Sequence, residues 1–223
     1  LLIPESDKED TAAYTEGETF IVTVSREYGS GGREIGKYLA AKLGIPCYDS
    51  EISRMVADEH GYTKELVEEK EENIPYSLLQ YLFRSYTADA SEADMPMVER
   101  LFQTERKIIR EIASKESCVM IGRLSNHILK NHENAVHVFV SADLDFKMAR
   151  VQKREGLSSS EAEKKIEKVE RERAGHSRYF AHTEWSNANN YDTCIKSRKY
   201  GVEKAGDILL HLIKLLLNGE SRP

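Results

Sequence analysis

A glycine-rich segment near the start of the chain has residue types that bind phosphate groups. The apolar run FIVTV is followed within a few positions by four small residues: Gly29, Ser30, Gly31 and Gly32. Glycines allow the backbone to turn sharply, and successive N–H groups can then point toward one anion. The helical pattern that follows adds the positive end of a helix dipole. The segment is therefore predicted to hold a phosphate mainly through backbone donors.

Three interpretations of this segment compete. A dinucleotide-binding loop, GxGxxG, would use Gly29 and Gly31, but Glu34 stands where a third small residue is required. A P-loop, GxxxxGK[ST], aligns its second glycine with Gly32 and then places Arg33 in the lysine position and Glu34 in the hydroxyl position. The third interpretation is a tight turn between strand and helix that binds no ligand. The density of glycines argues against this last one.

The elements around the segment alternate between strand and helix patterns. Compact β-branched runs predict strands at 20–24, 46–49, 118–122, 135–141 and 193–196. Apolar residues that repeat every three or four positions predict helices at 33–43, 97–115, 143–155, 159–174 and 202–217. Because strands separated by helices form a parallel sheet with helices on both faces, the fold class is a three-layer α/β fold.

Composition limits the classes of function. The chain has 223 residues, 31% of them charged, and a net charge of −6, which describes a globular domain without a general nucleic-acid surface. No apolar run approaches the roughly 20 residues of a membrane helix, and the first residues lack the features of a signal peptide. A cytoplasmic location is expected. The separated cysteines and scattered histidines predict neither disulfides nor a zinc site.

Four segments carry a family resemblance: SREYGSGGREIG, LGIPCYDSEI, VMIGR and VERERAGHSRYF. Together they resemble the cytidylate kinase-like family of P-loop kinases, from about residue 20 to residue 217. The resemblance implies a P-loop kinase fold with five parallel strands in the order 2-3-1-4-5. It also implies a kinase-like domain at 20–217, and the composition of residues 1–19 indicates an acidic lead-in before it. Within the domain, an acceptor-side helical insert is expected at about 51–95 and a lid at about 156–185.

The resemblance implies roles for the residues on the donor side. The loop at residues 29–32 would hold the phosphates of ATP, and Arg33 would supply the charge that a lysine normally supplies. The nucleotide would carry Mg²⁺, for which Glu34 is a candidate ligand. A carboxylate at this position would also repel the phosphates unless a basic residue balances it.

On the acceptor side, the resemblance implies binding by residues that follow the second and third strands. Asp49, Ser50 and Arg54 follow the second strand, and Arg123 follows the third. Leu124 stands where true cytidylate kinases have an aspartate, which puts recognition of cytosine or ribose in doubt.

The charged helix at 159–174 resembles the lid of these kinases. Arg171 and Arg178 keep the lid's seven-residue spacing, which would place both on one helix face. Gly175 replaces the aspartate that lies between the two arginines in true cytidylate kinases. If the helix ends there, Arg178 must reach back from a loop.

The implied reaction is in-line phosphoryl transfer from ATP with Mg²⁺ to a small-molecule phosphate acceptor, CMP or dCMP by resemblance. The acceptor oxygen is already anionic, so catalysis would depend on positive charge from four arginines: Arg33, Arg123, Arg171 and Arg178. Two alternatives are a non-catalytic nucleotide-binding module and a kinase for a different small acceptor. Neither a nucleic acid nor a membrane is an expected partner, and the oligomeric state is left open by the sequence.

Overall fold

The central element is a five-stranded parallel sheet. A computed structural model describes residues 19–63 and 97–217. The strand order is β2-β3-β1-β4-β5. The strands are β1 (Ile21–Arg26), β2 (Cys47–Tyr48), β3 (Cys118–Ile121), β4 (Ala135–Ser141) and β5 (Thr193–Lys196). The predicted fold class and strand order are confirmed.

Helices cover both faces of this sheet. In the described ranges they are α1 (Gly32–Leu43), α2 (Ser50–His60), α3 (Met97–Lys115), α4 (Ser125–Ile128), α5 (Leu144–Glu155), α6 (Ser159–Ala181), α7 (Ser197–Tyr200) and α8 (Val202–Leu217). A short 3₁₀ turn at Ala188–Asn190 precedes β5. No helix in the described ranges is long and apolar enough to cross a membrane.

Two apolar clusters, one on each face of the sheet, form the core. Ile21 of β1 packs into the first cluster, with side chains from α2, α3 and α4. Its neighbour Val22 packs into the second, with side chains from α1 and α8. Both residues are fully buried, because alternate side chains of a strand point to opposite faces and both faces are covered.

The register of the strands places three loops at one edge of the sheet. Val24 of β1 pairs with Ile121 of β3, and Met120 pairs with Tyr48 of β2. The residues that follow these strands therefore emerge side by side. They are the glycine-rich loop after β1, the turn after β3 and the start of α2.

Two predicted element ends differ from the structure by more than one residue, and both lie near this edge. β1 continues two residues beyond position 24, because Ser25 and Arg26 still pair with Phe139 and Val140 of β4. α6 continues through the predicted end at residue 174 to Ala181, and the buried Gly175 lies within it.

The start of α6 follows the prediction. Ser158 and Glu161, spaced as in the capping-box pattern S-x-x-E, form a reciprocal capping box at this start. The lead-in at 1–19 and the acceptor-side insert at about 51–95 fall largely outside the described residues. Of these two segments, the structure describes Thr19 and residues up to 63.

Candidate active site

A cavity of about 710 Å³ opens at the carboxyl edge of the sheet, between the glycine-rich loop, α2, α5 and α6. Among the described residues that line it, six are basic: Arg26, Arg33, Lys37, Arg123, Arg154 and Arg173. Three are acidic: Glu27, Glu34 and Asp49. Ligands of open parallel sheets bind at this edge, and the excess of positive charge favours an anionic ligand.

The glycine-rich loop has a backbone that only glycine adopts easily. Gly29 and Gly31 have φ angles of +83° and +87°, and both line the cavity. A Cβ atom on Gly29 would lie 2.9 Å from the carbonyl oxygen of Lys147. Ser30 is fully buried, and its hydroxyl donates to the carbonyl of Glu27 at 2.9 Å. Gly31 caps the N-terminus of α1, so the helix dipole points at the cavity.

The two residues that depart from the P-loop pattern are both in ion pairs. Arg33 donates through Nε to the carboxylate of Asp49, and its side chain is 56% exposed. Glu34 accepts a hydrogen bond from Nη2 of Arg150 at 2.6 Å. Arg150 is therefore the basic residue that balances the Glu34 carboxylate beside the loop.

Arg26, the last residue of β1, is a cavity residue that the sequence interpretation missed. Its side chain passes over α1, so that a Cβ atom on Gly32 would lie only 2.4 Å from its Cβ. Its guanidinium rests against Gly122, where an added Cβ would lie 1.9 Å from Nη1. Burial and the charge of Arg173 lower the pKa of Arg26 well below its usual value, although Asp49 acts in the opposite direction.

The turn after β3 presents Arg123 in an unusual backbone conformation. Gly122, Arg123 and Leu124 have φ angles of +76°, +62° and +50° in succession. For the two residues with side chains this left-handed conformation is strained, and such strain persists only where the surroundings enforce it. Leu124 is 8% exposed and packs in the first apolar cluster.

Two helices fix the guanidinium of Arg123 at the cavity wall. Nη1 donates to Glu105 of α3 at 3.0 Å, and Nη2 donates to the hydroxyl of Ser53 on α2. The side chain of Glu105 is 3% exposed, so this ion pair is shielded from water. Arg123 therefore reaches the cavity with its orientation already set.

The side of the cavity formed by α5 and α6 is called the helical side here. On it, the guanidinium groups of two arginines lie near the same aromatic ring. The guanidinium carbons of Arg154 and Arg173 lie 4.9 and 5.6 Å from the ring centre of Tyr28. Arg173 also donates from Nη1 to the carbonyl of Arg26 at 2.8 Å. The phenol of Tyr28 donates to Glu155. Although burial raises the pKa of Glu155, hydrogen bonds from Lys165, Tyr28 and Arg154 lower it to about 2.

The structure does not bring Arg171 and Arg178 to the cavity. Both are exposed, and Arg178 forms a two-pronged ion pair with Glu184 at 2.7 and 2.9 Å. Arg173 lies about 200° around the helix from Arg171, because each residue of a helix turns by about 100°. The helix face that the seven-residue spacing selects therefore points away from the site.

A signal for Arg173 was present in the sequence. Ala162 and Ile166 are buried on the inner face of α6, and Ser177 is buried on it further along. Steps of three and four residues connect these positions, and Arg173 lies four residues before Ser177. Extending the apolar stripe beyond Ile166 would have identified the inward-facing arginine.

The acceptor-side residues divide into two groups. Asp49 and Ser50 line the cavity at the start of α2. Arg54 is exposed one turn further along that helix and is not part of the cavity lining.

The family model described as the cytidylate kinase-like family matches residues 21–199 of the 223. The chain belongs to this family. The resemblance seen in the sequence is therefore confirmed, and the chain is a kinase-like phosphotransferase.

Similarity extends to individual cytidylate kinases. One from Archaeoglobus fulgidus is 29% identical over 200 residues, which cover 87% of this chain and 94% of the relative. One from Methanosarcina mazei is 28% identical over 207 residues, which cover 89% and 99% of the two chains.

Solved structures share the architecture. The crystal structure of an uncharacterized protein from Eubacterium ventriosum has a TM-score of 0.67 at 25% identity and covers 92% of this chain and 100% of that one. A shikimate kinase from Bacteroides thetaiotaomicron has a TM-score of 0.50 at 16% identity, covering 88% and 99% of the two chains. At this identity the shikimate kinase shows the shared fold only.

Proposed function

We propose that this chain is an ATP-dependent kinase that phosphorylates a nucleoside monophosphate, with CMP or dCMP as the acceptor. The observation that carries the proposal is the cavity, whose described lining residues include six basic side chains against three carboxylates. Two phosphate groups repel each other unless surrounding cations offset their charge, so in-line transfer requires such an excess. The similarity to cytidylate kinases supports CMP or dCMP as the acceptor.

The donor side of the proposed site is the glycine-rich loop. The backbone N–H groups at residues 29–32 and the start of α1 would hold the phosphates of ATP. Arg33 and Glu34 stand beside this loop. Arg33 is tied to Asp49, and Glu34 is tied to Arg150.

The acceptor side is the wall formed by α2 and the turn after β3. Arg123 would bind the acceptor phosphate through a guanidinium whose direction Glu105 and Ser53 already fix. A donor that is fixed in advance costs no reorganisation during the reaction. Asp49 and Ser50 are proposed to contact the acceptor from the start of α2, with Arg54 assigned there by the resemblance alone.

The helical side is proposed as the lid. In this arrangement Arg154 and Arg173 face the cavity, while Arg171 and Arg178 face away. The predicted catalytic role of Arg171 and Arg178 would require α6 to turn or shift on closure. Comparing Arg173→Ala with Arg171→Ala separates the two possibilities, and we expect the larger loss of kcat/KM for Arg173→Ala.

Mg²⁺ fits this site as part of the nucleotide. Within the described ranges, no group of three or more His, Cys, Asp or Glu side chains could hold a metal ion. Single carboxylates at Glu34 and Asp49 line the cavity, and each already has a basic partner. Protein-bound Mg²⁺ commonly uses one or two carboxylates together with substrate phosphates and water. When bound, the ion would offset the charge of the donor phosphates.

No general base is needed for this reaction. The attacking atom is an oxygen of the acceptor's phosphate, which is already ionised at neutral pH. The chain's own contribution is therefore to orient two phosphates, to offset their charge and to exclude water.

The test is ATP consumption with Mg²⁺ against CMP, dCMP, UMP, AMP, GMP and TMP in parallel, with the product identified by mass. We expect turnover on CMP or dCMP. Arg123→Ala should lower kcat/KM on the order of 10²-fold, because it removes one fixed donor from the transition state. Arg110→Ala is the matched control, since that arginine lines a separate surface pocket on α3.

A non-catalytic nucleotide-binding module is the second candidate. The observation that favours it is the engagement of both Arg33 and Glu34 in ion pairs. This candidate predicts that ATP raises the Tm while no acceptor in the panel is consumed. Turnover on a phosphorylated or hydroxylated compound outside the panel would instead indicate a different acceptor.

A further inference from the structure

The start of α1 gives the glycine-rich loop a second possible alignment. Gly31 caps the helix and Gly32 is its first residue. If Gly31 is the second glycine of the pattern GxxxxGK, the first glycine position falls on Arg26 and the lysine position on Gly32. In this alignment the chain has no side chain at the lysine position and a long cationic one at the first glycine position.

Positions 26 and 32, at which the glycine and the cationic residue of the pattern are exchanged, are in direct contact. A Cβ atom on Gly32 would lie 2.4 Å from Cβ and 3.0 Å from Cγ of Arg26. Real Cβ atoms do not approach so closely, so the Arg26 side chain occupies the space that a side chain at position 32 would need. From there it enters the cavity beside the loop. We propose that Arg26, and not Arg33, supplies the charge that the P-loop lysine supplies in other kinases.

The described residues around Arg26 supply positive charge and no paired carboxylate. Its guanidinium lies against the backbone of Gly122, and Arg123 and Arg173 add further positive charge nearby. Within the ranges that the structure describes, no carboxylate lies within ion-pair distance of it; Asp49, the cavity carboxylate that influences it, is bonded to Arg33. A partly buried cation without a counterion binds an anion favourably. Arg33, in contrast, has its carboxylate partner and is mostly exposed.

This inference rests on the proposed function and names the residue that acts on the donor. In the transfer, the bond between the γ-phosphorus and the oxygen bridging it to the β-phosphate breaks. A bond between the γ-phosphorus and an acceptor phosphate oxygen forms, and ADP leaves with the electron pair of the broken bond. Arg26 donates hydrogen bonds to the γ-phosphoryl oxygens throughout and exchanges no proton.

Binding of inorganic tripolyphosphate tests this assignment without requiring turnover. Calorimetry would compare the wild type with Arg26→Met, Arg33→Met and the surface control Arg110→Met. Loss of a charge-assisted contact predicts a fall in affinity of about tenfold or more for Arg26→Met, and a much smaller change for Arg33→Met. Arg110→Met should bind as the wild type does. Unchanged affinity for Arg26→Met, or a larger loss for Arg33→Met, would overturn the assignment.

A double variant keeps the test decisive if Arg26→Met folds poorly. Arg26→Gly with Gly32→Lys restores the pattern GxxxxGK and moves the charge to the usual position. We expect this double variant to bind tripolyphosphate at least about tenfold more tightly than Arg26→Gly alone. No recovery in a folded double variant would count against Arg26 as the substitute for the lysine.

The outcomes also separate this inference from the proposed function. If tripolyphosphate binding depends on Arg26 but no nucleoside monophosphate is phosphorylated, the assignment of Arg26 stands and the acceptor is different. If CMP or dCMP is phosphorylated equally well by wild type and Arg26→Met, the proposed function stands and this inference is wrong. A wild-type chain that binds neither tripolyphosphate nor Mg·ATP contradicts both.

Discussion

The cavity has a sheet side, formed by the turn after β3 with α2 and α3, and a helical side, formed by α5 and α6. The arginines on these two sides are held by different contacts. Arg123 leaves the end of β3 and is fixed by a buried carboxylate, Glu105, and by the hydroxyl of Ser53. Arg154 and Arg173 instead lie near the ring of one residue, Tyr28, on helices that also carry exposed ion pairs.

Because of this difference, the two sides are ordered to different degrees before a substrate binds. A buried ion pair holds one geometry, because breaking it leaves an uncompensated charge inside the protein. A contact between a cation and an aromatic ring is worth only about 0.5–2 kcal/mol and tolerates sliding. In the proposed reaction the sheet side would therefore set the position of the phosphates, and the helical side would adjust around them.

The largest effect is expected on the sheet side, from Glu105→Ala. Removing the carboxylate leaves Arg123 without its buried partner and should lower the free energy of unfolding by about 3–5 kcal/mol. Denaturant titration measures this loss. Glu111→Ala, on the same helix and in an exposed pair with Lys115, should cost no more than about 0.5 kcal/mol. Equal losses for the two variants would mean that the buried pair of Glu105 and Arg123 is held no more firmly than an exposed pair on the same helix.

His176, on the part of α6 that packs against Phe102 of α3, provides a test by pH. Burial, with a smaller contribution from Arg123, lowers the pKa of this histidine to about 4. Because protonation then favours the unfolded chain, stability is full above about pH 6.5 and falls as the pH drops toward 4. We expect the wild type to lose about 2–3 kcal/mol more than His176→Gln over this range. Parallel pH profiles for the two proteins would contradict this expectation.

Gly122→Ala should displace the guanidinium of Arg26 at the end of β1. A methyl group at this position meets the guanidinium of Arg26 and must also adopt a φ angle of +76°. Gly44→Ala is a matched control, since its φ angle is +67° and no atom of the described residues lies within 4 Å of the new atom. In both variants the free energy of unfolding should fall by about 1 kcal/mol, because alanine is disfavoured at a positive φ angle. Only Gly122→Ala should also bind tripolyphosphate less tightly, because its methyl group displaces the flexible end of the Arg26 side chain.

The smallest effect is expected on the helical side, from Tyr28→Leu. Loss of the shared ring should cost about 1 kcal/mol of stability and raise the KM for ATP more than it lowers kcat. Tyr200→Leu removes an exposed tyrosine whose ring lies near Lys199, at 5.9 Å, and should change neither constant. A collapse of kcat in Tyr28→Leu would mean that the helical side is as rigidly prepared as the sheet side.

The fold could be predicted because it depends on periodicity and alternation, which the residues display directly. Buried β-branched runs and apolar stripes determine the layers. The predicted bounds of the strands at 135–141 and 193–196 agree with the structure. The order of the strands came from the family resemblance and not from the patterns themselves.

The candidate site could be predicted only where a motif marks it. The glycine-rich loop and Arg123 follow apolar strands in recognisable strings, and both lie at the cavity. Arg26 was missed because the end of β1 depends on pairing with β4, which is distant in sequence. Arg173 was missed because spacing to Arg171 does not tell which face of a helix is buried.

The contact between Arg26 and Gly32 limits which substitutions this loop can accept in evolution. A side chain at position 32 collides with Arg26, and loss of Arg26 alone leaves a loop without a long cation at either position. A chain of this kind cannot reach the common glycine–lysine loop through one tolerated substitution, because both positions must change together. Every single-substitution intermediate between the two loop types is therefore impaired. Within each type, the residue at position 26 constrains the residue at position 32.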